Sequence, residues 1–274
     1  MAKLQSTEIV GVANRPATIC SNSVCIWFDT TNTKIVFSCC GYSGAGTWST
    51  GGAMITLRSC MAGAGTQNEG LIAGGYTPNA EITRACTEEY NGTSWSAGGA
   101  LITARSFLAG AGTQNVGLVA GGGACLCTEE YNGTSWSAGG ALITARNSLS
   151  GAGTQNAGLV AGGAVNVALS CTEEYNGTSW SAGGAMILAR YGLSGAGTQN
   201  EGLAIGGYNA GARTCTEEYN GTSWSAGGAL ATARYQSGAG GTQGSAFVTG
   251  GGSYPGVTCT EEYNKPIVII DTIK

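Results

Sequence analysis

Glu88-Glu-Tyr-Asn-Gly-Thr-Ser-Trp95 is the stretch on which the fold turns, and it returns at Glu129–Trp136, Glu173–Trp180 and Glu217–Trp224. A fifth copy starts at Glu261 and breaks after Asn264. Asn-Gly is the preferred pair for a two-residue type I′ turn, because both central positions need positive φ. Thr-Glu-Glu-Tyr on one side and Thr-Ser-Trp on the other suit strand ends, so each copy is expected to be a β-hairpin. The Tyr and Trp, five residues apart, are expected to meet across it. A lone hairpin is marginal in water. Five at near-regular spacing make a repeat protein, and the period decides which kind.

Working outward from the hairpin, a rigid frame emerges. Each Trp is followed ten residues later by an Arg: Trp48 to Arg58, Trp95 to Arg105, Trp136 to Arg146, Trp180 to Arg190, Trp224 to Arg234. Sixteen residues beyond each Arg stands the first glycine of a Gly-Gly pair, at Gly74, Gly121, Gly162, Gly206 and Gly250. The distance from there to the Tyr varies, 16, 10, 13, 13 and 13 residues. The overall period of 41 to 47 residues holds four short strands. One ends at the Trp, one surrounds Arg and Gly-Ala-Gly (Ala104 to Gly112), one is the apolar run before Gly-Gly (Gly117 to Gly122), and one is Cys-Thr-Glu-Glu-Tyr. Gly-Thr-Gln-Asn supplies a tight turn between the second and third. Four antiparallel strands at such a period specify a propeller blade. The small-residue second strand suits the crowded centre of the disc, where backbones approach closely. No apolar period of 3.6 persists, and glycine interrupts every window, so a helical repeat is excluded.

The frame resembles the kelch repeat: one full copy is carried by Leu118-Val-Ala-Gly-Gly122, Tyr131, Trp136 and Arg146. The resemblance covers residues 48 to 263 and departs in a shorter Tyr–Trp gap. It implies an all-β, kelch-like β-propeller of four-stranded antiparallel blades. A narrower resemblance lies in Ile26-Trp-Phe-Asp-Thr-Thr-Asn-Thr-Lys-Ile-Val-Phe37, followed by Trp48-Ser-Thr-Gly-Gly-Ala53 and the Thr-Ala-Arg repeats. These are similar to repeat proteins of marine tailed bacteriophages, among them tail fibre and virion appendage proteins. That resemblance implies a non-enzymatic virion structural or appendage protein, made in the host cytoplasm. Its implied partners are other virion proteins, a host surface receptor or glycan, and further copies of itself.

Three segments are expected: residues 1–47 with a hairpin at Val24–Phe28 and Lys34–Cys39, five repeats over 48–265, and a terminal strand over 266–274. Ile267-Val-Ile-Ile270 is too apolar to stand as an open edge. Pairing it with the N-terminal hairpin would build an irregular sixth blade from both chain ends, and six blades are favoured over the alternative of five.

Only 10% of the 274 residues are charged, the net charge is −4, and no Lys/Arg run occurs; this excludes an electrostatic nucleic-acid binder. No apolar run is long enough to span a bilayer, and the N-terminus has no signal-like apolar region. The chain has no histidine. That removes general-base His chemistry, a Ser-His-Asp set and the copper ligands of a kelch-type oxidase. Cys39-Cys40 and Cys125-x-Cys127 lack a second pair at zinc spacing, so no metal or cofactor is expected. Of eleven cysteines, Cys86, Cys127, Cys171, Cys215 and Cys259 hold one place in each repeat. Equivalent places lie too far apart for bridges between repeats, and these five are expected to be free, small buried hydrophobes. The Asn-Gly-Thr triplets match the glycosylation pattern, but the same residues are what the turn requires.

Adjacent glutamates on a strand face opposite ways, so a Glu-Glu pair cannot share a catalytic pocket. One Glu of each pair is expected to meet the repeat's Arg. The repeated Trp and Tyr are expected to form blade-to-blade core, with a sugar-stacking platform as the other reading. Binding is expected at the loops after Gly-Gly, which vary while the frame does not: Tyr76 to Ala85, Gly123 to Leu126, Ala164 to Ser170, Tyr208 to Thr214 and Gly252 to Thr258. In a propeller these leave one face of the disc. The candidate contact residues are Tyr76, Asn79, Arg84, Tyr208, Arg213 and Tyr254, since Tyr and Arg are favoured at interfaces. Drift in exposed loops is the plain alternative, and a lectin-like carbohydrate-binding module is the second functional reading.

Overall fold

The computed structural model describes residues 24–29, 34–39, 50–252 and 256–265. The chain divides into two compact units: Gly51–Lys265, and Met1–Thr50 together with Pro266–Lys274. In the second, Val24–Asp29 pairs antiparallel with Lys34–Cys39, from Val24 opposite Cys39 to Asp29 opposite Lys34. The expected N-terminal hairpin is present.

Gly51–Lys265 is an all-β propeller of five blades. The first is Ala62–Gly65, Gly70–Ala73, Thr87–Tyr90 and Trp95–Ala97. The second is Ala109–Gly112, Gly117–Ala120, Thr128–Tyr131 and Trp136–Ala138. The third is Ser150–Gly153, Gly158–Ala161, Thr172–Tyr175 and Trp180–Ala182. The fourth is Ser194–Gly197, Gly202–Ile205, Thr216–Tyr219 and Trp224–Ala226. Three described strands form the fifth: Gly238–Gly241, Ser245–Thr249 and Thr260–Asn264. Every sheet is antiparallel with strands in chain order. Five is the alternative count rather than the favoured six; the strand at Ile267–Ile270 lies outside the described residues. Each sheet begins after the frame Arg and ends with the Trp strand, so the Trp completes its own blade instead of opening the next.

The hairpin pairs as expected, with Tyr131 opposite Trp136 and Glu129 opposite Ala138. Its corner is not the expected type I′ turn at Asn-Gly. Gly133 takes φ 89°, whereas Asn132 is absent from the left-handed region that type I′ demands. The Asn132 amide N–H donates to the Ser135 carbonyl at 3.2 Å, which moves the corner to Gly133-Thr134. The cause is the Asn side chain. Its Oδ1 accepts the N–H groups of Thr134 and Ser135 at 3.0 and 2.9 Å and the Thr134 hydroxyl at 2.9 Å. Asn acts here as an acceptor of local donors, and the other three full copies repeat the arrangement.

Inner strands of successive blades touch backbone to backbone. A Cβ on Gly151 would sit 2.5 Å from the Gly110 carbonyl oxygen, and one on Gly110 equally close to that of Gly63. This is the crowded centre that the Gly-Ala-Gly strand implies. Outward from it, four apolar clusters fill the seams between consecutive blades. Ala62, Leu71, Leu101, Val119, Tyr131 and Trp136 make the seam of the first and second blades. The equivalent residues make the other three seams. The aromatic pair is blade-to-blade core, with Tyr131 and Trp136 rings 4.8 Å apart. The indole N–H of Trp136 donates to Thr87 Oγ1 of the preceding blade at 2.9 Å, so burial leaves it satisfied.

Candidate functional site

Antiparallel order puts two kinds of segment on one face of the disc. These are the loop after Gly-Gly and the connection from the Trp strand to the next inner strand. The Asn-Gly-Thr-Ser and Thr-Gln-Asn turns occupy the other face. Bridges such as Ser59–Tyr76, Asn147–Ala164 and Tyr191–Tyr208 stitch the first two together.

The connection is held by the Arg–Glu pair. The guanidinium of Arg105 meets Glu129 Oε1 at 2.8 Å, and that of Arg146 meets Glu173 Oε1 at 2.9 Å, all four side chains buried. Arg58–Glu88, Arg190–Glu217 and Arg234–Glu261 repeat the pairing. The first glutamate of each pair is thus the one that meets the Arg. The same carboxylate also fixes the connecting backbone. Glu129 accepts the N–H groups of Ile102 and Thr103, at 2.7 and 3.4 Å. Glu173 does the same for Ile143 and Thr144, and Glu217 for Ile187 and Leu188. Burial pushes the Arg105 guanidinium down from its ordinary value, while Glu129 opposes that shift.

The second glutamate points the other way, as strand alternation requires. Glu89 accepts the hydroxyl of Tyr131 on the next blade, and Glu130 that of Tyr175, each at 2.5 Å. Burial first, and the glutamate second, push the Tyr131 and Tyr219 phenols up to about 12. A further clamp was not foreseen from sequence. Gln155 Nε2, in the Thr-Gln-Asn turn, donates to the Gly117 and Tyr131 carbonyls of the preceding blade at 2.9 and 2.8 Å. Gln114, Gln199 and Gln243 do likewise.

The repeat cysteines depart from expectation. They are half-buried, and Cys259 is exposed, not buried hydrophobes. Nor are all the sulfurs in apolar surroundings: the frame guanidinium donates to those of Cys86, Cys171 and Cys259, with Arg146 Nη1 reaching the Cys171 carbonyl at 2.7 Å and its sulfur at 2.8 Å. Cys127 is not free. It is bonded to Cys125 across a Cα separation of 5.3 Å, in the shortest of the five loops. Cys86, Cys171, Cys215 and Cys259 are free thiols, and no bridge links two repeats among the described residues. Among the same residues no group of three or more Cys, Asp or Glu side chains is arranged to hold a metal.

The sequence-derived contact residues fall into two places. In the first blade, half-buried Tyr76 opens a two-residue strand paired with Ile82–Thr83. Asn79 lies in the short 3-10 turn Pro78–Ala80. Arg84 folds back on its own loop, its Nε donating to Thr77 Oγ1 at 2.9 Å. In the fourth blade, Arg213 turns onto the Asn209 carbonyl of the Tyr208 loop. Tyr254 lies outside the described residues. Tyr208 is joined by two tyrosines that sequence reasoning missed, Tyr191 at 5.5 Å and Tyr235 at 5.2 Å between ring centroids. All three are half-buried. The signal was there: the residue after the frame Arg is Ser59, Ser106 and Asn147 in the first three repeats, then Tyr191 and Tyr235.

More was missed in the connections. Leu101-Ile102 and its counterparts look like core. Leu101 and Leu142 are buried, but Ile55, Ile102, Ile143 and Ile187 are 57–65% exposed. With Leu57, Ile82, Leu126, Val165 and Val167, nine of the eleven exposed large apolar side chains among the described residues lie on the loop face. Exposed apolar side chains gathered on one face, rather than scattered singly, are the usual mark of a contact surface.

No protein-family model matches the chain, and no curated protein matches its sequence.

Proposed function

We propose that this propeller is a non-enzymatic binding module that uses its loop face for assembly or adhesion. The observation that supports this most is the asymmetry of the disc, with exposed Ile, Leu and Val on the loop face and Thr, Gln, Asn and Ser turns on the other. The resemblance to kelch repeats and to tailed-phage appendage proteins supports a virion setting, as a structural or tail-fibre-associated component. Its partners would be other virion proteins or a host surface receptor. The second reading, a lectin-like module, is favoured by Tyr191, Tyr208 and Tyr235. Three tyrosines in contact present ring faces and hydroxyls, as a sugar-stacking platform requires.

Replacing Tyr191, Tyr208 and Tyr235 together by Ser tests the assignment. The full-length chain and this variant are compared for co-sedimentation with phage particles and for binding to host cells. A tenfold or greater loss with an unchanged circular dichroism spectrum supports the loop face. Competition of wild-type binding by free glycans selects the lectin reading. Unchanged binding by the variant rejects the tyrosine cluster as the contact site.

A further inference from the structure

We infer that the loop face docks against the same face of a second copy of this chain, forming a face-to-face dimer. The inference rests on reading that face as a contact surface and names its partner.

Three observations carry it. The first is extent. Nine apolar side chains left 43–69% exposed offer on the order of 500 Å² of apolar surface, at the roughly 100 Å² that a fully exposed aliphatic side chain represents. That matches the apolar share, somewhat over half, of the roughly 800 Å² that each partner contributes to a standard stable interface.

The second is rigidity. Ile102, Ile143 and Ile187 are each held by a hydrogen bond of 2.7 Å from their own N–H to a buried glutamate. That glutamate is itself locked to a buried arginine. The tips are set before any encounter, so little ordering entropy opposes association.

The third is pattern. Ile55, Ile102, Ile143 and Ile187 occupy one frame position of four successive blades, and Ala231 takes it in the fifth. A two-fold interface needs a self-complementary patch. An apolar row repeated at blade spacing satisfies that against its own copy, which presents the same row at the same spacing. Glu81 is an exposed acid on this face and Arg84 and Arg213 are its half-buried bases, so no field of one sign repels a second copy. A lipid surface would call for clustered Lys and Arg, and two arginines on separate blades do not supply it. The opposite face is polar, with Glu69 and Glu201 exposed in its turns, which stops assembly at two copies.

The test is sedimentation velocity of the full-length chain from about 1 to 100 µM, spanning the affinity range of a moderate interface. The expected result is a species of twice the 27.3 kDa chain mass. Ile102→Ser, Ile143→Ser and Ile187→Ser together are expected to weaken dimerisation at least a hundredfold. Val116→Ser, on the turn face, is expected to leave it unchanged. Should the triple variant fail to fold, Ile143→Lys alone gives the same readout, because a charge at a two-fold interface meets its own copy. A chain that stays monomeric at 100 µM overturns the inference. So does a dimer that survives all the isoleucine substitutions. Loss of target binding in the tyrosine variant with the dimer intact counts against the proposed dimer as the form that binds, and leaves the self-contact standing. A monomer that still binds its target counts against the dimer alone.

Discussion

The third and fifth blades are written in the same residues and are buried differently. Both have the Arg, the Gly-Gly pair, the Glu-Glu-Tyr strand and the Gln turn. In the third blade the Glu173 side chain is 2% exposed and its Arg146 partner is fully buried. In the fifth the Glu261 side chain is 20% exposed. The inner strand Ser150–Gly153 alternates buried and half-buried, whereas Gly238–Gly241 is exposed or half-exposed throughout. Ala239 also stands where the four earlier blades have glycine, at the position that allows the closest backbone approach. The repeat specifies how a blade is hydrogen-bonded; how deeply that network is buried depends on what packs against the blade, since Glu88 of the first blade is 2% exposed and Glu261 of the fifth 20%.

Removing the same carboxylate from each blade should separate the two most strongly. Glu173→Ala leaves a buried guanidinium without its partner and two backbone N–H groups unsatisfied, and is expected to cost about 3–5 kcal/mol. Glu261→Ala removes the same contacts where water can replace them, and about 1 kcal/mol is expected. Equal losses in urea unfolding would show that blade position does not matter. Next in size is Trp136→Ala, which empties a seam and is expected to cost about 3–5 kcal/mol. Trp95→Ala should cost roughly half as much, since Trp95 is half-buried and its indole N–H donates only to the Gly52 carbonyl.

The smallest effect sharpens the seams themselves. The phenols of Tyr131, Tyr175, Tyr219 and Tyr263 are all raised, first by burial and then by the glutamate of the preceding blade. A raised phenol keeps its proton in the folded state after the unfolded chain has lost its own. Stability from these contacts is therefore complete below the unfolded tyrosine value, about 10, and declines as pH rises towards about 12. Melting temperature followed from pH 8 to 12 should fall above pH 10. The decline should be shallower in Glu130→Gln, which removes one negative contributor.

Much of this was legible in the residues. Asn-Gly between Tyr and Trp located the hairpins, and the constant Trp–Arg and Arg–Gly-Gly spacings located the blades. Alternation along Glu-Glu was enough to separate the two carboxylates. What was not legible has a common cause: it lies in irregular backbone, where no period says which way a side chain points. Leu101 and Ile102 are neighbours of similar hydropathy, and only the carboxylate that holds the Ile102 N–H turns one inward and the other out. The reach of Gln155 to the preceding blade crosses 24 residues of sequence to the Tyr131 carbonyl. Cys171 looks like a small hydrophobe until the Arg146 guanidinium is placed beside its sulfur. Tyr191 and Tyr235 become a cluster with Tyr208 only because adjacent blades bring their frame positions together.

Hydroxyl-radical footprinting of the assembled chain shows whether one face of the disc makes contacts and the other does not. Side-chain oxidation would be compared between dilute protein and the same protein in its dimer or bound to its target. Protection of Ile102, Ile143, Ile187 and Tyr208, with Val116 and Trp95 oxidised equally in both states, is the predicted result. Protection centred on Val116 and the Asn-Gly-Thr-Ser turns, with the isoleucines unchanged, would contradict it.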